Sequence, residues 1–230
     1  MLLACRHITL KYAGSEKYVL KNFGFEIDGP GFHALFGPSG VGKTSLARIL
    51  IGSISDYDGE IVKRRIQSIL YSYNMERLPG WSNVGTHLDR ITPSAKRDLK
   101  DEMVNAFGLA SFCSQRFSQL SLGQKNRINL IRYLVQDFQV LIMDESLANV
   151  DEITREKILL TIKDLFPDRC FFYISHNVLE VSKFCEHIVV IRDANKQPQA
   201  HLIKGQNFSN GHPLDKNAYE KTMLEIMNAS

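Results

Sequence analysis

The sequence predicts an α/β fold with a mostly parallel sheet, an antiparallel sheet near the N-terminus and an inserted helical subdomain. Three observations predict it. Short apolar runs, typical of buried parallel strands, alternate with segments of helical periodicity. Residues 3–11 and 18–27 alternate apolar and polar side chains, as strands with one solvated face do. Residues 83–136 have a helical pattern that interrupts the alternation of strands and helices.

Local patterns place the individual elements. The apolar run 32–36 predicts a buried strand, residues 43–51 predict a helix, and the acidic segment 56–59 predicts a turn. Further strands are predicted at 67–73, 140–143, 170–174 and 188–191, with helices at 153–166 and 214–227. We expect one domain over residues 1–230, made of a core (1–74 and 137–205), a helical subdomain (about 75–136) and a helical tail (206–230).

The composition argues against several classes of function. A net charge of +3 is too small for a nucleic-acid-binding protein, which usually shows a concentrated basic stripe. No run approaches the 18 or so apolar residues of a membrane-spanning helix, and the first residues do not resemble a signal peptide. The four cysteines lack metal-ligand or redox spacing, which is typical of reduced thiols in the cytoplasm.

The segment after the run 32–36 matches the phosphate-binding pattern G-x-x-x-x-G-K-[ST]. Glycines let the backbone curl so that its N–H groups point at phosphate oxygens, and the next helix presents its positive N-terminus to the same anion. Lys43 is expected to reach the β- and γ-phosphates of a nucleotide, and the Thr44 hydroxyl to bind Mg²⁺. The predicted nucleotide-binding residues are Gly37, Pro38, Ser39, Gly40, Val41, Gly42, Lys43, Thr44 and, in the helix, Ser45.

Two acidic residues, Asp144 and Glu145, follow the apolar run 140–143. Carboxylates at the end of a buried strand are costly unless they have a ligand or a partner. Asp144 is therefore predicted to bind Mg²⁺, and Glu145 to act as the general base toward the attacking water. His176, at the end of another apolar strand, is a candidate γ-phosphate contact; on spacing alone, an ordinary hydrogen-bonded polar residue is the alternative.

Residues 120–127, Leu-Ser-Leu-Gly-Gln-Lys-Asn-Arg, resemble the Leu-Ser-Gly-Gly-Gln signature of ATP-binding cassette (ABC) transporters. With the phosphate loop before it and the acidic strand after it, the chain is similar to the nucleotide-binding subunit of these transporters over about residues 3–203. The resemblance implies a P-loop ATPase core and additional site residues: Tyr12 against adenine, Ser121, Gly123 and Gln124 in the signature, Asp151 in the aspartate loop and His176 as the switch histidine.

The same resemblance implies partners. Two cassettes pair head to tail, so that the phosphate loop of one faces the signature of the other across ATP. The second cassette is another copy of this chain or a related one. The resemblance further implies a transmembrane permease, an indirect link to a substrate-binding protein, and a location on the cytoplasmic face of the membrane through the permease.

The sequence departs from the family pattern at two positions. Leu122 replaces the first glycine of the signature pair, and a side chain there is expected to narrow the approach to the γ-phosphate. Asn74 takes the place of the glutamine that senses Mg²⁺, with a side chain one methylene shorter. Together they predict slower, but real, ATP hydrolysis.

Three alternatives remain open at this stage. One is an ABC ATPase outside transport, although such proteins usually carry paired cassettes or a long coiled-coil insertion. Another is an ATP-binding switch that hardly hydrolyses, and the third is a phosphate-loop kinase, which would have no use for the signature. Among transporters, the stretch Glu-Arg-Leu-Pro-Gly-Trp at residues 76–81 looks like the nitrate, sulfonate and taurine importer branch.

Overall fold

The computed structural model describes residues 1–74, 76–211 and 213–229. Within these ranges the chain forms nine β-strands: β1 (Leu2–Lys11), β2 (Tyr18–Asp28), β3 (Gly31–Phe36), β4 (Asp58–Arg64), β5 (Ile69–Tyr73), β6 (Val140–Asp144), β7 (Cys170–Ile174), β8 (His187–Ile191) and β9 (Ala200–Lys204). The seven α-helices of the same ranges are α1 (Lys43–Leu50), α2 (Val84–Ile91), α3 (Arg97–Ala106), α4 (Leu122–Leu134), α5 (Glu152–Leu165), α6 (Val178–Phe184) and α7 (Lys216–Ala229).

The chain divides into two compact units. The first comprises Met1–Tyr71, Gln139–Ile142 and Pro167–Ser230, and the second comprises Ser72–Phe138 and Met143–Phe166. The predicted boundaries of core, helical subdomain and tail stay a prediction. In the described part of the chain, no helix is both long and apolar enough to cross a membrane.

A three-stranded antiparallel sheet in the order β2-β1-β4 belongs to the first unit. The strands predicted at 3–11 and 18–27 are confirmed as β1 and β2. The turn predicted at 56–59 is wrong, because β4 begins at Asp58 and pairs along β1. The prediction failed because β4 is mostly exposed at the sheet edge and lacks the alternation of a half-buried strand.

The second sheet has six strands in the order β5-β6-β7-β3-β8-β9. β3 lies between β7 and β8 and is parallel to both, whereas β9 is antiparallel to β8. The buried strands β3, β7 and β8 are almost entirely apolar, as strands covered on both faces must be. The mostly parallel α/β architecture with an antiparallel N-terminal sheet is therefore confirmed.

The core of the first unit joins its two sheets. Phe23, Phe25, Leu46 and Phe172, from β2, α1 and β7, belong to one buried cluster. The rings of Phe25 and Phe172 meet edge to face with centroids 5.9 Å apart. Helix α1 is held by this cluster through its buried face, and the loop that precedes α1 therefore starts and ends on rigid elements.

The second unit is mainly helical. Helices α2, α3 and α4 lie in the block that the sequence predicts as helical, together with short 3₁₀ turns. Its buried side chains come from all three helices and the turns between them, and they include Val84, Leu88, Met103, Phe107, Phe117, Ile128 and Ile131. This packing fixes α4, the helix that begins at the signature.

Candidate functional site

The phosphate loop leaves β3 at Phe36 and enters α1 at Lys43. Gly37, Gly40 and Gly42 have φ angles of 152°, 79° and 109°, in the region that favours glycine. A Cβ on Gly37 would lie 2.4 Å from the backbone oxygen of Ile191, and one on Gly42 would lie 2.9 Å from Val19 Cγ1. Only glycine fits at positions 37 and 42, so the glycines of the motif are what allow the loop backbone to curl.

The start of α1 is suited to an anion. Its N-cap is Gly42, which has no side chain to cap the first turn, so backbone N–H groups at the helix start can bind a phosphate. Pro38, Ser39 and Gly40 at the loop tip are exposed. Lys43 is buried, and its Nζ donates hydrogen bonds to the backbone oxygens of Gly37 and Pro38, both at 2.8 Å. The lysine thus lies along the inner side of the loop.

Tyr12, the predicted adenine contact, lies beside the first turn of α1. Its hydroxyl is 2.9 Å from Ser45 Oγ, and 43% of the residue is exposed. A hydrogen bond that fixes the phenol tip leaves the ring face available for stacking. The fold therefore brings Tyr12, which follows β1, next to Ser45 in the helix after the phosphate loop.

His176 lies at the same edge of the sheet as the phosphate loop. The register of the parallel strands pairs Leu35 of β3 with Ile174 of β7, and Gly37 and His176 each follow two residues later. His176 is exposed. The carboxyl ends of parallel strands are where α/β proteins bind ligands, so this position fits the predicted contact.

The turn that carries His176 is held by Glu180, a residue that sequence analysis missed. Glu180 is buried, and its carboxylate accepts hydrogen bonds from the Tyr173 hydroxyl at 2.8 Å, the Ser175 hydroxyl at 3.3 Å and the Asn177 side-chain amide at 3.0 Å. Asn177 in turn caps α6 through the N–H groups of Leu179 and Glu180. The sequence signal that could have revealed Glu180 is an acidic residue in the helix that follows His176, because a buried acid requires hydrogen-bond partners.

Asp144 is the last residue of β6 and Glu145 follows it, and both residues belong to the second unit. Asp144 is half-buried and Glu145 is exposed. Glu145 has a φ of 50°, which is uncommon for a residue with a side chain and marks a locally strained backbone. Its backbone oxygen accepts from the N–H of Ala148 at 2.9 Å, which closes the turn. Strained backbone conformations of this kind are often found at active sites, where a side chain is held in a fixed orientation.

Asn74 is held next to Asp144 through the backbone, because the Asn74 N–H donates to the Asp144 oxygen at 3.1 Å. Asn74 Oδ1 is buried and has no hydrogen-bond partner among the described residues. Buried acceptors in native proteins are normally satisfied, so this oxygen is suited to a cation or its bound water. The predicted Mg²⁺ ligands Thr44, Asn74 and Asp144 all offer oxygen, the donor that Mg²⁺ prefers.

The signature begins α4 with a capping box. Ser121 is the N-cap, its hydroxyl accepts from the Gln124 N–H at 3.2 Å, and Gln124 Oε1 accepts from the Ser121 N–H at 2.8 Å. Ser121 is exposed, so its hydroxyl and the helix start face solvent. This arrangement gives the second unit an accessible helix N-terminus of its own.

Gly123 lies against the segment that follows the acidic strand. A Cβ on Gly123 would be 2.2 Å from the backbone oxygen of Asn149, and Asn126 Nδ2 donates to the Ala148 oxygen at 2.7 Å. Asp151, two residues after Asn149, is exposed and is the N-cap of α5. Its carboxylate accepts a hydrogen bond from the Thr154 N–H at 2.9 Å, and this hydrogen bond lowers the pKa of the Asp151 carboxyl group. The signature and the predicted aspartate loop are therefore brought together.

Leu122, the departure from the signature, is 48% exposed and lines a groove in the second unit. The groove has a volume of about 280 Å³. Its wall is apolar at Leu78, Phe117 and Leu122, and Glu76, Lys125, Asn126 and Asn129 add polar groups. Trp81, in the adjoining loop, is 80% exposed.

The family model for "ABC transporter" matches residues 20–148, which include the phosphate loop, the signature and the acidic pair. The chain belongs to the ABC transporter family. The match covers more than half of the sequence, so the motif resemblance is not an accident of one short pattern.

Relatives of this family member include import ATP-binding proteins. A "Spermidine/putrescine import ATP-binding protein PotA" of Protochlamydia amoebophila is 30% identical over 216 residues, which cover 86% of the chain and 57% of the relative. The "Taurine import ATP-binding protein TauB" of Pseudomonas fluorescens is 27% identical over 226 residues, covering 91% and 86%. The chain therefore spans little more than half of the PotA protein and most of TauB.

Among solved structures, the chain resembles a dimeric post-hydrolysis state of the ATP-binding cassette MJ0796 bound to ADP and Pi. The TM-score is 0.72 with 21% sequence identity, and the match covers 90% of the chain and all of the cassette. At this level of identity the likeness shows a common fold.

Proposed function

We propose that this chain binds and hydrolyses ATP and that the hydrolysis energises a membrane importer. The phosphate loop carries the proposal, because glycines that admit no side chain curl its backbone at the uncapped start of α1. Family membership and relatives that are named as import ATP-binding proteins support it.

Each predicted residue has a role in the proposed reaction. Backbone N–H groups of the loop and Lys43 bind the phosphates, and Tyr12 stacks on the adenine. Thr44, Asn74 and Asp144 would supply oxygen ligands to Mg²⁺, and the bound cation would neutralise phosphate charge. The Glu145 carboxylate orients the attacking water and accepts its proton, while His176 donates a hydrogen bond to the γ-phosphate.

We further propose that the working form is a head-to-tail pair of cassettes. The exposed helix start at Ser121 is a second phosphate-binding element, and Gly123 in its first turn lies against Asn149, two residues before Asp151. In the pair, Ser121, Gly123 and Gln124 of one copy complete the site of the other. The nucleotide then contributes to the interface itself.

The permease is proposed to dock on the groove of the second unit. The groove combines apolar side chains, Leu78 and Phe117, with polar groups, and protein-binding sites commonly combine the two. The exposed Trp81 adjoins it, and aromatic side chains are enriched at such interfaces. The match to TauB over most of its length favours the sulfonate branch of importers as the first cargo class to test.

A slow ATP-dependent switch is the second candidate function. Leu122 and Asn74 favour it, because one adds a side chain to the signature and the other shortens a metal-binding side chain. The two functions differ in turnover and not in ATP binding, so a rate measurement with the permease present separates them.

The deciding experiment is the Glu145→Gln substitution in the assembled complex. Removing the base is expected to abolish turnover, while the isosteric amide leaves ATP affinity within about twofold of the unsubstituted protein. ATPase rate and nucleotide binding are measured on the same preparation, with Glu102→Gln, an exposed acid on α3, as the matched control. Undiminished hydrolysis in Glu145→Gln would remove Glu145 from the base role.

A further inference from the structure

Two histidines lie side by side in the first unit, away from the phosphate loop. The parallel register pairs Ala34 of β3 with Ile188 of β8, so His33 and His187 occupy adjacent positions on one face of the sheet. Their rings are stacked with centroids 5.3 Å apart. His33 lies in β3, which ends at Phe36, one residue before Gly37. Four residues of extended chain separate the Cα atoms of His33 and Gly37 by roughly 13 Å. The pair is therefore separate from the nucleotide-binding residues.

The histidine rings carry nitrogen atoms without partners. His33 is 0% exposed, and its Nδ1 and Nε2, like Nδ1 of His187, make no hydrogen bond within the described part of the chain. Buried polar atoms in native proteins almost always have a partner, so a bound ligand would explain these nitrogens. An imidazole nitrogen that makes no hydrogen bond is suited to bind a metal ion.

Glu186 adds a carboxylate to the pair. A Cβ placed on Gly31 would lie 2.8 Å from Glu186 Oε2 and 3.1 Å from His33 Nε2, so these two atoms converge on one point above the glycine. Gly31 has a φ of 144°, and the absence of its side chain leaves that point open. Ligand atoms from His33, Glu186 and His187 all lie within 4.8 Å of one another.

We propose that His33, Glu186 and His187 form a binding site for a divalent transition-metal cation of the zinc type. Two imidazole nitrogens and one carboxylate oxygen suit Zn²⁺, Co²⁺ or Ni²⁺, whereas Mg²⁺ and Ca²⁺ prefer oxygen alone. Four-coordinate zinc at its usual bond lengths places ligand atoms about 3.4 Å apart, so side-chain rotation must draw them together. A water molecule takes the fourth position.

The proposed metal links two neighbouring strands of the central sheet. His33 lies within β3, while Glu186 immediately precedes β8 and His187 is its first residue. A cation bound to all three fixes the start of β8 against β3. The metal is therefore expected to stabilise the first unit without taking part in ATP hydrolysis, since the phosphate loop lies beyond the other end of β3.

The test uses the 230-residue chain without a tag, stripped with a chelator and titrated with ZnCl₂. We expect one equivalent of Zn²⁺ that is lost, or bound roughly tenfold or more weakly, in His187→Gln and in Glu186→Gln. His201→Gln is the matched control, because His201 is a half-buried strand residue with an unpartnered Nε2, judged over the described residues, and has no part in the cluster. Cobalt in place of zinc should give the visible absorption of a four-coordinate site.

Thermal unfolding gives an independent readout. At a Zn²⁺ concentration 100 times the Kd of the unsubstituted chain, the melting temperature should rise by roughly 5–10 °C in that chain and in the His201→Gln control, and by at most about half as much in the other two variants. His187 and Glu186 are half-buried and keep their approximate size as glutamine, so the variants are expected to fold. The proposal is overturned if the unsubstituted chain takes up no more Zn²⁺ than His187→Gln, or if His201→Gln loses as much.

Discussion

At the residue scale, asparagine at position 74, in place of the glutamine of the family pattern, is expected to change the contact with Mg²⁺. Its backbone is fixed by a hydrogen bond to the Asp144 oxygen, so the side chain must reach any metal from that point. The buried Oδ1 has no partner among the described residues, and asparagine is one methylene shorter than the glutamine of the family pattern. A longer or water-mediated contact with Mg²⁺ is the expected result.

Asn74→Gln and Leu122→Gly are therefore predicted to raise the ATPase rate of the assembled complex several-fold. Glutamine extends the amide oxygen toward the metal, and glycine removes the side chain at the signature. Initial rates are measured at saturating ATP across a range of Mg²⁺ concentrations, and Asn74→Gln should also lower the Mg²⁺ needed for half-maximal rate. If neither variant is faster, the account of these two departures is wrong.

At the scale of elements, the start of α4 is fixed from two sides. The capping box satisfies the backbone N–H groups of Ser121 and Gln124, and Asn126 donates to the oxygen of Ala148. Arg127 adds hydrogen bonds to the oxygens of Gly123 at 3.2 Å and Phe107 at 2.7 Å. The signature is consequently a rigid platform, as a phosphate-binding helix start should be.

A side chain at Gly123 should disturb that platform. Its Cβ would lie 2.2 Å from the Asn149 oxygen, so Gly123→Ala must displace either the segment 148–150 or the first turn of α4. We expect a cost of about 1–3 kcal/mol in the free energy of unfolding, together with at least tenfold slower hydrolysis. Chemical denaturation and ATPase assays measure the two effects.

Gly80→Ala is the matched control, because nothing lies within 4 Å of a Cβ at Gly80 and its φ is not in the left-handed region. It should change the free energy of unfolding by less than about 0.5 kcal/mol, as a surface substitution does. Equal effects of the two alanines would contradict the close approach of Gly123 to Asn149.

At the scale of the whole molecule, the proposed head-to-tail pair divides the contacts to one ATP between two copies. Lys43 then serves the site in its own copy, and Ser121 serves the site in the other copy. A single copy would present only part of the contacts that the transition state requires. Hydrolysis should therefore depend on pairing.

Mixing two inactive variants tests that arrangement. Lys43→Ala and Ser121→Arg should each abolish ATPase activity, whereas a mixed pair retains one site with an intact loop and an intact signature. With random pairing and independent sites, the mixture should recover about a quarter of the full rate. Recovery is measured after co-refolding or co-expression, with each variant alone as the control. No recovery would argue against a shared site.

Short-range patterns underlie most of the site residues that the sequence predicts. The phosphate loop depends on glycines next to one another in sequence, and the capping box of Ser121 and Gln124 spans only four residues. Asp144, Glu145 and His176 are predicted site residues because each lies at or just after the end of an apolar strand. In each case the chemistry lies within one turn or one strand end, and local sequence encodes it directly.

Glu180 and β4 were missed because their roles depend on neighbours distant in sequence or on an exposed sheet edge. A buried acid in α6 acquires meaning only when Tyr173 and Asn177 are seen to bond to it. The strand β4 is defined by pairing with β1, since its own sequence lacks a buried face. Tertiary context overrides local preference at such positions.

The sequence by itself determined the α/β class, the family and the residues expected to handle ATP, because these depend on periodicity and on short motifs. Only the tertiary structure decided which distant residues meet: Gly123 against Asn149, Tyr12 beside Ser45, and His33 with Glu186 and His187. The physical reason is that strand register and packing are set by the whole core. No local pattern specifies which side chains two neighbouring strands will place side by side.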